Sequence, residues 1–173
     1  MPDTITLFKV FFSAPSDVVE EEQIVAELVE EWNRQQGDRA KARLELVRWK
    51  THVHPATGDR PQALINRQAF DRADIVIGVF WTRFGTPTGI AGSGTEEEIR
   101  RGIRLGKKVL VYFSTCPPLG KRGTRADHSK IEVFKRKFGQ RALYWVYSDR
   151  ELFQSAFRNH LAAIMHELLR GAR

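Results

Sequence analysis

The segment Asp74–Trp81 constrains the possible folds of this chain more than any other part of it. Its sequence, Asp-Ile-Val-Ile-Gly-Val-Phe-Trp, is apolar along almost its whole length. A strand without alternation of polar and apolar residues is typical of the middle of a parallel sheet, where helices cover both faces. Four other runs rich in β-branched and aromatic residues accompany it. The five predicted strands are Ile5–Phe12, Arg43–Trp49, Asp74–Trp81, Lys108–Phe113 and Ala142–Tyr147.

Helical stretches separate these strands. We expect Ser16 to cap the first helix and Gly37 to end it. The predicted helices are 17–36, Pro61–Arg72, Thr95–Leu105, Ser129–Phe138 and a final helix that Asp149 caps. Alternating strands and helices predict an α/β fold. We therefore expect a flavodoxin-like three-layer sandwich, with a five-stranded parallel sheet in the order 2-1-3-4-5 and helices on both faces. Residues 1–173 are expected to form a single domain.

Composition narrows the function classes. A single cysteine, Cys116, excludes a disulfide framework and cysteine-based metal sites, and the pair His52 and His54 lacks a third ligand, so no metal is expected. The absence of a signal peptide and of an apolar run of about 18 residues favours a cytoplasmic protein without a membrane span. The net charge of +7 suits an anionic partner. Nucleic acid is not expected, because a basic cluster is more often a solvated face. The cluster comprises Lys121, Arg122, Arg125, Lys130, Lys135, Arg136, Lys137 and Arg141.

The candidate site follows from the expected topology. Ligands of such sheets bind beyond the carboxyl ends of strands 1 and 3, which places Ser13–Asp17 and Trp81–Glu98 at the site. The glycine-rich stretch Gly85–Gly94 contains no G-x-x-x-x-G-K-[ST], and no G-x-G-x-x-G follows the first strand, so neither a P-loop nucleotidase nor an ordinary Rossmann dehydrogenase is expected. The stretch ends at a helix start, Gly94-Thr95, where backbone N–H groups could hold a phosphate.

Three successive glutamates begin that helix. With Ile99, Gly102 and Ile103 facing the sheet, we expect Glu98 to point toward the strand ends. Glu96 and Glu97 are expected to face solvent, where acids in a first helical turn stabilise the helix.

Two sequence patterns carry a resemblance to known families. Gly94-Thr95-Glu96-Glu97-Glu98, followed by Gly106-Lys107-Lys108-Val109, resembles the G-T-x-x-E … G-K-x-V pattern of nucleoside 2-deoxyribosyltransferases. The segment Lys9–Asp17 resembles the first strand of TIR (Toll/interleukin-1 receptor) domains. Together with Gly78–Gly89, these segments resemble a bacterial TIR-like family found on immune and signalling proteins, over about Lys9–Phe113.

The resemblance implies cleavage of an N-glycosidic bond with Glu98 as the catalytic residue. The expected function is that of a TIR-like NAD+ glycohydrolase, an effector of bacterial immunity or signalling that self-association activates. NAD would be its substrate, and no cofactor is expected. Two alternatives stay open: a noncatalytic TIR-like self-association module, and a deoxyribosyltransferase-like enzyme. The latter needs a second acid, for which Asp17 is the candidate.

Candidate substrate-binding residues lie around this position. The aromatic rings of Phe12, Trp81 and Phe84 could stack on a base, although core packing is the alternative for Phe12 and Trp81. Ser13 could hydrogen-bond the substrate, and Arg83 could bind a pyrophosphate. The remaining candidates are Asp17, Ser93, Gly94 and Thr95.

Overall fold

The computed structural model describes residues 4–48, 52–118, 120 and 122–171. Five parallel strands form one sheet in the order β2-β1-β3-β4-β5, so the predicted fold class and strand order are confirmed. The strands are β1 (Thr6–Ser13), β2 (Ala42–Val47), β3 (Ile75–Phe80), β4 (Lys108–Ser114) and β5 (Trp145–Tyr147). Trp49, the predicted end of the second strand, lies outside the described residues.

Within the described residues, the main helical segments connect or follow these strands. They are α1 (Val19–Trp32), α2 (Pro61–Ile65), α3 (Gly94–Arg104), α4 (Arg125–Gly139) and α5 (Arg150–Gly171). A π-helical turn extends α1 through Asn33–Gly37, and another extends α2 through Asn66–Phe70. None of the helices in the described part of the chain has the length and apolar character needed to cross a membrane.

Strand β3 is the centre of the structure. All six of its residues are buried, as its continuous apolar sequence predicts. On one face of the sheet, Val10 and Ile77 pack in a core that includes residues of α1 and α5. On the other face, Phe80 and Val111 pack in a core to which α3 and α4 contribute. These two layers of helices complete the three-layer sandwich.

The first helix differs from its prediction at both ends. It begins at Val19, and Ser16 does not cap it. Gly37 lies inside the helical run, which continues through Asp38–Ala40 and ends at Lys41 with a left-handed φ of 51°. A Cβ at Gly37 would collide with the guanidinium of Arg43. Gly37 therefore allows this close approach and does not end the helix.

Two further element bounds and the direction of one side chain differ from their predictions. Helix α4 begins at Arg125 and not at Ser129, because Thr124 and Asp127 form a reciprocal capping box. Strand β5 is limited to Trp145–Tyr147. Ile103, expected to face the sheet, is 50% exposed. By contrast, Asp149 caps the last helix as predicted, since its Oδ1 accepts a hydrogen bond from the Leu152 N–H at 2.8 Å.

Candidate active site

A cavity of about 610 Å³ opens at the carboxyl ends of β1 and β3. This is the edge of the sheet where the strand order predicts a ligand. Five separate parts of the chain form its walls. The lining residues are Ser13, Ala14, Pro15, Ser16, Gln62, Ile65, Arg83, Gly85, Thr86, Gly94, Thr95, Glu98, Arg122, Gly123, Thr124 and Asp127.

Helix α3 places Glu98 in the wall of this cavity. Its start is fixed by Ser93, whose Oγ accepts a hydrogen bond from the Glu96 N–H at 3.1 Å. Its rotation is fixed by Ile99, which is fully buried, and by Gly102, where a Cβ would lie 3.0 Å from Cγ2 of Val109. The residue before Ile99 is then directed to the strand ends, as the sequence predicts for Glu98.

The Glu98 carboxyl is buried but forms no ion pair with any residue that the structure describes. Only 6% of Glu98 is exposed. Ser13 Oγ donates a hydrogen bond to Oε2, and Gln62 Nε2 donates one to Oε1 at 2.7 Å. Burial raises the pKa of Glu98 to about 7, although these two hydrogen bonds favour the charged form. Glu98 can therefore gain or lose a proton near neutral pH.

The two preceding glutamates were predicted to face solvent, and this prediction is wrong. Both side chains have hydrogen-bond partners within the fold. Glu97 is buried and accepts two hydrogen bonds from the Arg60 guanidinium, at 2.8 and 2.9 Å. Burial opposes its ionisation, but the hydrogen bonds from Arg60, Thr88 and Asn66 outweigh it and lower the pKa of Glu97. The Glu96 side chain is 13% exposed and accepts a hydrogen bond from the Gly92 N–H at 2.8 Å.

The predicted aromatic residues lie elsewhere. Phe12 is buried in the core beneath α1 and α5. Phe84 is buried on the opposite face, with its ring centroid 5.3 Å from that of Phe80. Their placement corrects the expectation that they stack on a base, because apolar packing between sheet and helix already uses both rings. Trp81 is partly buried, and its Nε1 donates a hydrogen bond to the Cys116 carbonyl at 2.8 Å.

The other predicted site residues divide into two groups. Ser13, Arg83, Gly94 and Thr95 line the cavity together with Glu98. Asp17 instead holds the chain after β3, since its Oδ2 accepts hydrogen bonds from the N–H and Oγ1 of Thr82, both at 2.8 Å. Ser93 is fully buried as the cap of α3. Asp17 and Ser93 therefore hold the segments that form the cavity wall and do not line the cavity themselves. This differs from the direct substrate contact expected of them.

Sequence reasoning missed several cavity residues. Gln62 follows the proline that begins α2, and no sequence pattern links it to Glu98, which lies 36 positions away. Asp127 could have been found from the spacing Thr124-Arg125-Ala126-Asp127, a capping-box signal that places a helix start here. Arg122 belongs to the basic cluster, of which Lys121 lies outside the described residues.

Within the described ranges, no group of three or more histidine, cysteine, aspartate or glutamate residues is placed to hold a metal ion. Cys116 is a free thiol and is buried.

The fold and the cavity define an α/β sandwich with a buried, titratable carboxyl at the carboxyl edge of its sheet. The sequence model of one family, described as "Domain of unknown function (DUF4062)", matches residues 9–162. The chain therefore belongs to this family. The match extends from β1 into α5 and includes every residue of the Glu98 cavity. No curated protein matches the chain.

Proposed function

We propose that this domain is a TIR-like NAD+ glycohydrolase, which cleaves the bond between nicotinamide and ribose. The placement of Glu98 carries the proposal. Its carboxyl lines an open cavity. Among the described residues, its hydrogen-bond partners are two neutral side chains, those of Ser13 and Gln62. Burial raises the pKa of this carboxyl to about 7. Perturbed carboxyl groups in clefts are typical of catalytic sites.

The chemistry requires a negative charge beside the ribose. When the bond from the anomeric carbon to the pyridinium nitrogen breaks, its electron pair passes to the nitrogen, and nicotinamide leaves as a neutral molecule. The ribose carbon becomes cationic until water adds to it and loses a proton. A carboxylate fixed in a poorly solvated site stabilises that developing charge. Glu98 would supply it, because a cationic substrate favours its ionised form.

The neighbouring groups have supporting roles in this proposal. Ser13 and Gln62 each hold one oxygen of Glu98, so the carboxyl has a defined orientation before substrate enters. Arg83 lines the same cavity, and its guanidinium contacts Ser16 Oγ at 3.3 Å without pairing with a carboxylate of the described chain. Arg83 would bind phosphate oxygens of the substrate.

The surroundings of Glu98 favour hydrolysis over deoxyribosyl transfer. The transferase alternative requires a second available acid, and Asp17 is engaged by Thr82 and Arg83. Asp127 lines the cavity, but its oxygens accept hydrogen bonds from the Phe84 N–H at 3.0 Å and from Thr124. Both acids thus fix loops through hydrogen bonds, Asp17 through Oδ2 alone, since its Oδ1 has no partner in the described part of the chain.

A self-association module is the second candidate, and one observation favours it. Large apolar side chains are exposed beside the edge strand β5, where Leu143 is 96% and Trp145 47% exposed. Exposed apolar patches at a sheet edge often mark contacts between proteins. By resemblance to TIR domains, such association would activate the enzyme in bacterial immunity or signalling, so the two candidates are compatible.

The test measures nicotinamide release from NAD by concentrated protein, with and without a crowding agent. We expect Glu98→Gln to lower the rate by a factor of about 100 or more, because the stabilising charge is lost. Glu96→Gln is the matched control, since it makes the same change two residues away and Glu96 lies outside the cavity lining among the described residues. Its rate should stay within about twofold of the wild type.

Retained turnover in Glu98→Gln would remove the assignment of this residue. No release from the wild type, even when crowding forces association, would favour the module.

A further inference from the structure

A second cavity adjoins the first at the carboxyl end of β4. Its volume is about 650 Å³, similar to the 610 Å³ of the Glu98 cavity. Three consecutive residues, Arg122, Gly123 and Thr124, line both cavities. We call this segment the ridge. The site is therefore larger than the Glu98 cavity and consists of two compartments with a common wall.

The ridge is firmly attached to the end of β3. The Gly123 N–H donates a hydrogen bond to Thr82 Oγ1 at 2.9 Å, and Thr82 is itself held by Asp17. A Cβ at Gly123 would collide with the Thr82 carbonyl oxygen, so this approach requires glycine. On its other side, Thr124 caps α4. The common wall is thus a fixed part of the fold.

Three cations and one carboxylate, that of Glu132, line the second cavity. Arg122, Arg125 and Lys135 line it, and none of them forms an ion pair with a carboxylate in the described part of the chain. Several arginines elsewhere are paired: Arg101, for example, contacts Asp71 at 2.8 Å. An unpaired guanidinium on the wall between two cavities is suited to phosphate oxygens.

One wall of the second cavity consists of aromatic and aliphatic side chains, against which a planar ring of a ligand could pack. Trp81, Phe113 and Ile131 line this cavity. The Trp81 indole is fixed by the hydrogen bond that its Nε1 donates to the Cys116 carbonyl. The Arg150 guanidinium lies 5.4 Å from the centroid of the indole ring. Fixed aromatic walls with a few polar groups are typical of sites for small organic ligands.

We propose that the two cavities bind the two halves of one dinucleotide, with Arg122 on the pyrophosphate between them. The second cavity takes the nucleoside that does not react. This inference rests on the proposed function, which places the nicotinamide half of the substrate in the Glu98 cavity. It specifies the substrate class as a dinucleotide. A nicotinamide mononucleotide can occupy only the Glu98 cavity and should be a poorer substrate.

The first experiment measures ADP binding by calorimetry, because ADP carries the pyrophosphate and second nucleoside without the reacting part. We expect Arg122→Gln to weaken ADP binding by about tenfold or more, because it loses charge-assisted hydrogen bonds. His128→Trp, an exposed position that lines the second cavity, should also weaken it by obstruction. Arg136→Gln is the matched control, since it removes the same charge from an exposed position on α4. ADP binding that is equal in Arg122→Gln and Arg136→Gln would overturn the proposal.

The second experiment compares kcat/KM for NAD and for nicotinamide mononucleotide. His128→Trp should lower the value for NAD by about tenfold and leave that for the mononucleotide, which does not enter the second cavity, within about twofold. Equal losses for both substrates would overturn the inference. If the wild type cleaves neither substrate, the proposed function fails, and the ADP measurement still decides whether the second cavity binds a nucleotide.

Discussion

Replacing Glu98 by glutamine should stabilise this protein at neutral and alkaline pH. A glutamate has an ordinary pKa of 4.5, and folding raises that of Glu98 to about 7 because the carboxyl is buried. The folded state therefore holds the Glu98 proton more strongly than the unfolded state does. Stability from the neutral carboxyl is fully present below about pH 4.5 and is lost as the pH rises to about 7.

The magnitude follows from the shift in pKa. Each pKa unit corresponds to about 1.4 kcal/mol, so ionising Glu98 in the folded state costs up to about 3 kcal/mol above pH 7. Glutamine has nearly the same shape and carries no charge. Its amide oxygen can accept the hydrogen bond from Gln62, and its amide nitrogen can donate one to Ser13. Glu98→Gln should avoid most of this cost.

Urea unfolding of the wild type and Glu98→Gln at about pH 5 and about pH 8 tests this reasoning. Comparing two proteins at one pH cancels the contributions of all other titrating groups that the substitution leaves unchanged. The variant should match the wild type to within about 1 kcal/mol near pH 5 and exceed it by about 2 to 3 kcal/mol near pH 8. A difference that does not grow with pH would refute the account of Glu98 as a buried carboxyl with a raised pKa.

Two further predictions concern the neighbours of Glu98 and the ridge. Ser13→Ala removes a hydrogen bond that favours the charged form of Glu98, so the pKa of Glu98 should rise. The rising limb of the plot of kcat/KM for NAD against pH should then move to higher pH. An unmoved limb would contradict this role of Ser13. Gly123→Ala should displace the ridge, because the new Cβ collides with the Thr82 carbonyl. We expect the free energy of unfolding, measured by urea titration, to fall by about 1 to 3 kcal/mol. Unchanged stability would show that the ridge does not approach Thr82 closely.

The general architecture could be predicted from hydrophobic patterns alone. Strand β3 is buried on both faces, and its apolar sequence shows this without reference to any other part of the chain. The end of the first helix could not be predicted in this way. Gly37 has the residue type of a helix stop, yet the Asn33 side chain hydrogen-bonds the backbone N–H and carbonyl of Leu44, which ties the helical run to β2. Such tertiary contacts override local preference.

The candidate site was predictable only where helical spacing decides direction. Spacing relative to Ile99 and Gly102 places Glu98 at the strand ends. The burial of Glu97 could not be predicted without Arg60, which lies 37 positions earlier and pairs with this acid, which the sequence alone would leave in solvent. The aromatic residues were ambiguous for another reason. Phe84 has the same side chain whether it packs in a core or stacks on a base, so only the structure distinguishes the two uses.

Three adjacent glutamates thus have three different electrostatic environments. Glu96 pairs with Arg100 at 2.7 Å, and Glu97 pairs with Arg60 at 2.8 Å. Glu98 accepts hydrogen bonds from two neutral groups, and a glutamine could accept from Gln62 and donate to Ser13 without the cost of burying a charge. A glutamate that costs stability at neutral pH, in the wall of an open cavity, has no advantage for folding. The charge of Glu98 is therefore best explained by the chemistry of what enters that cavity.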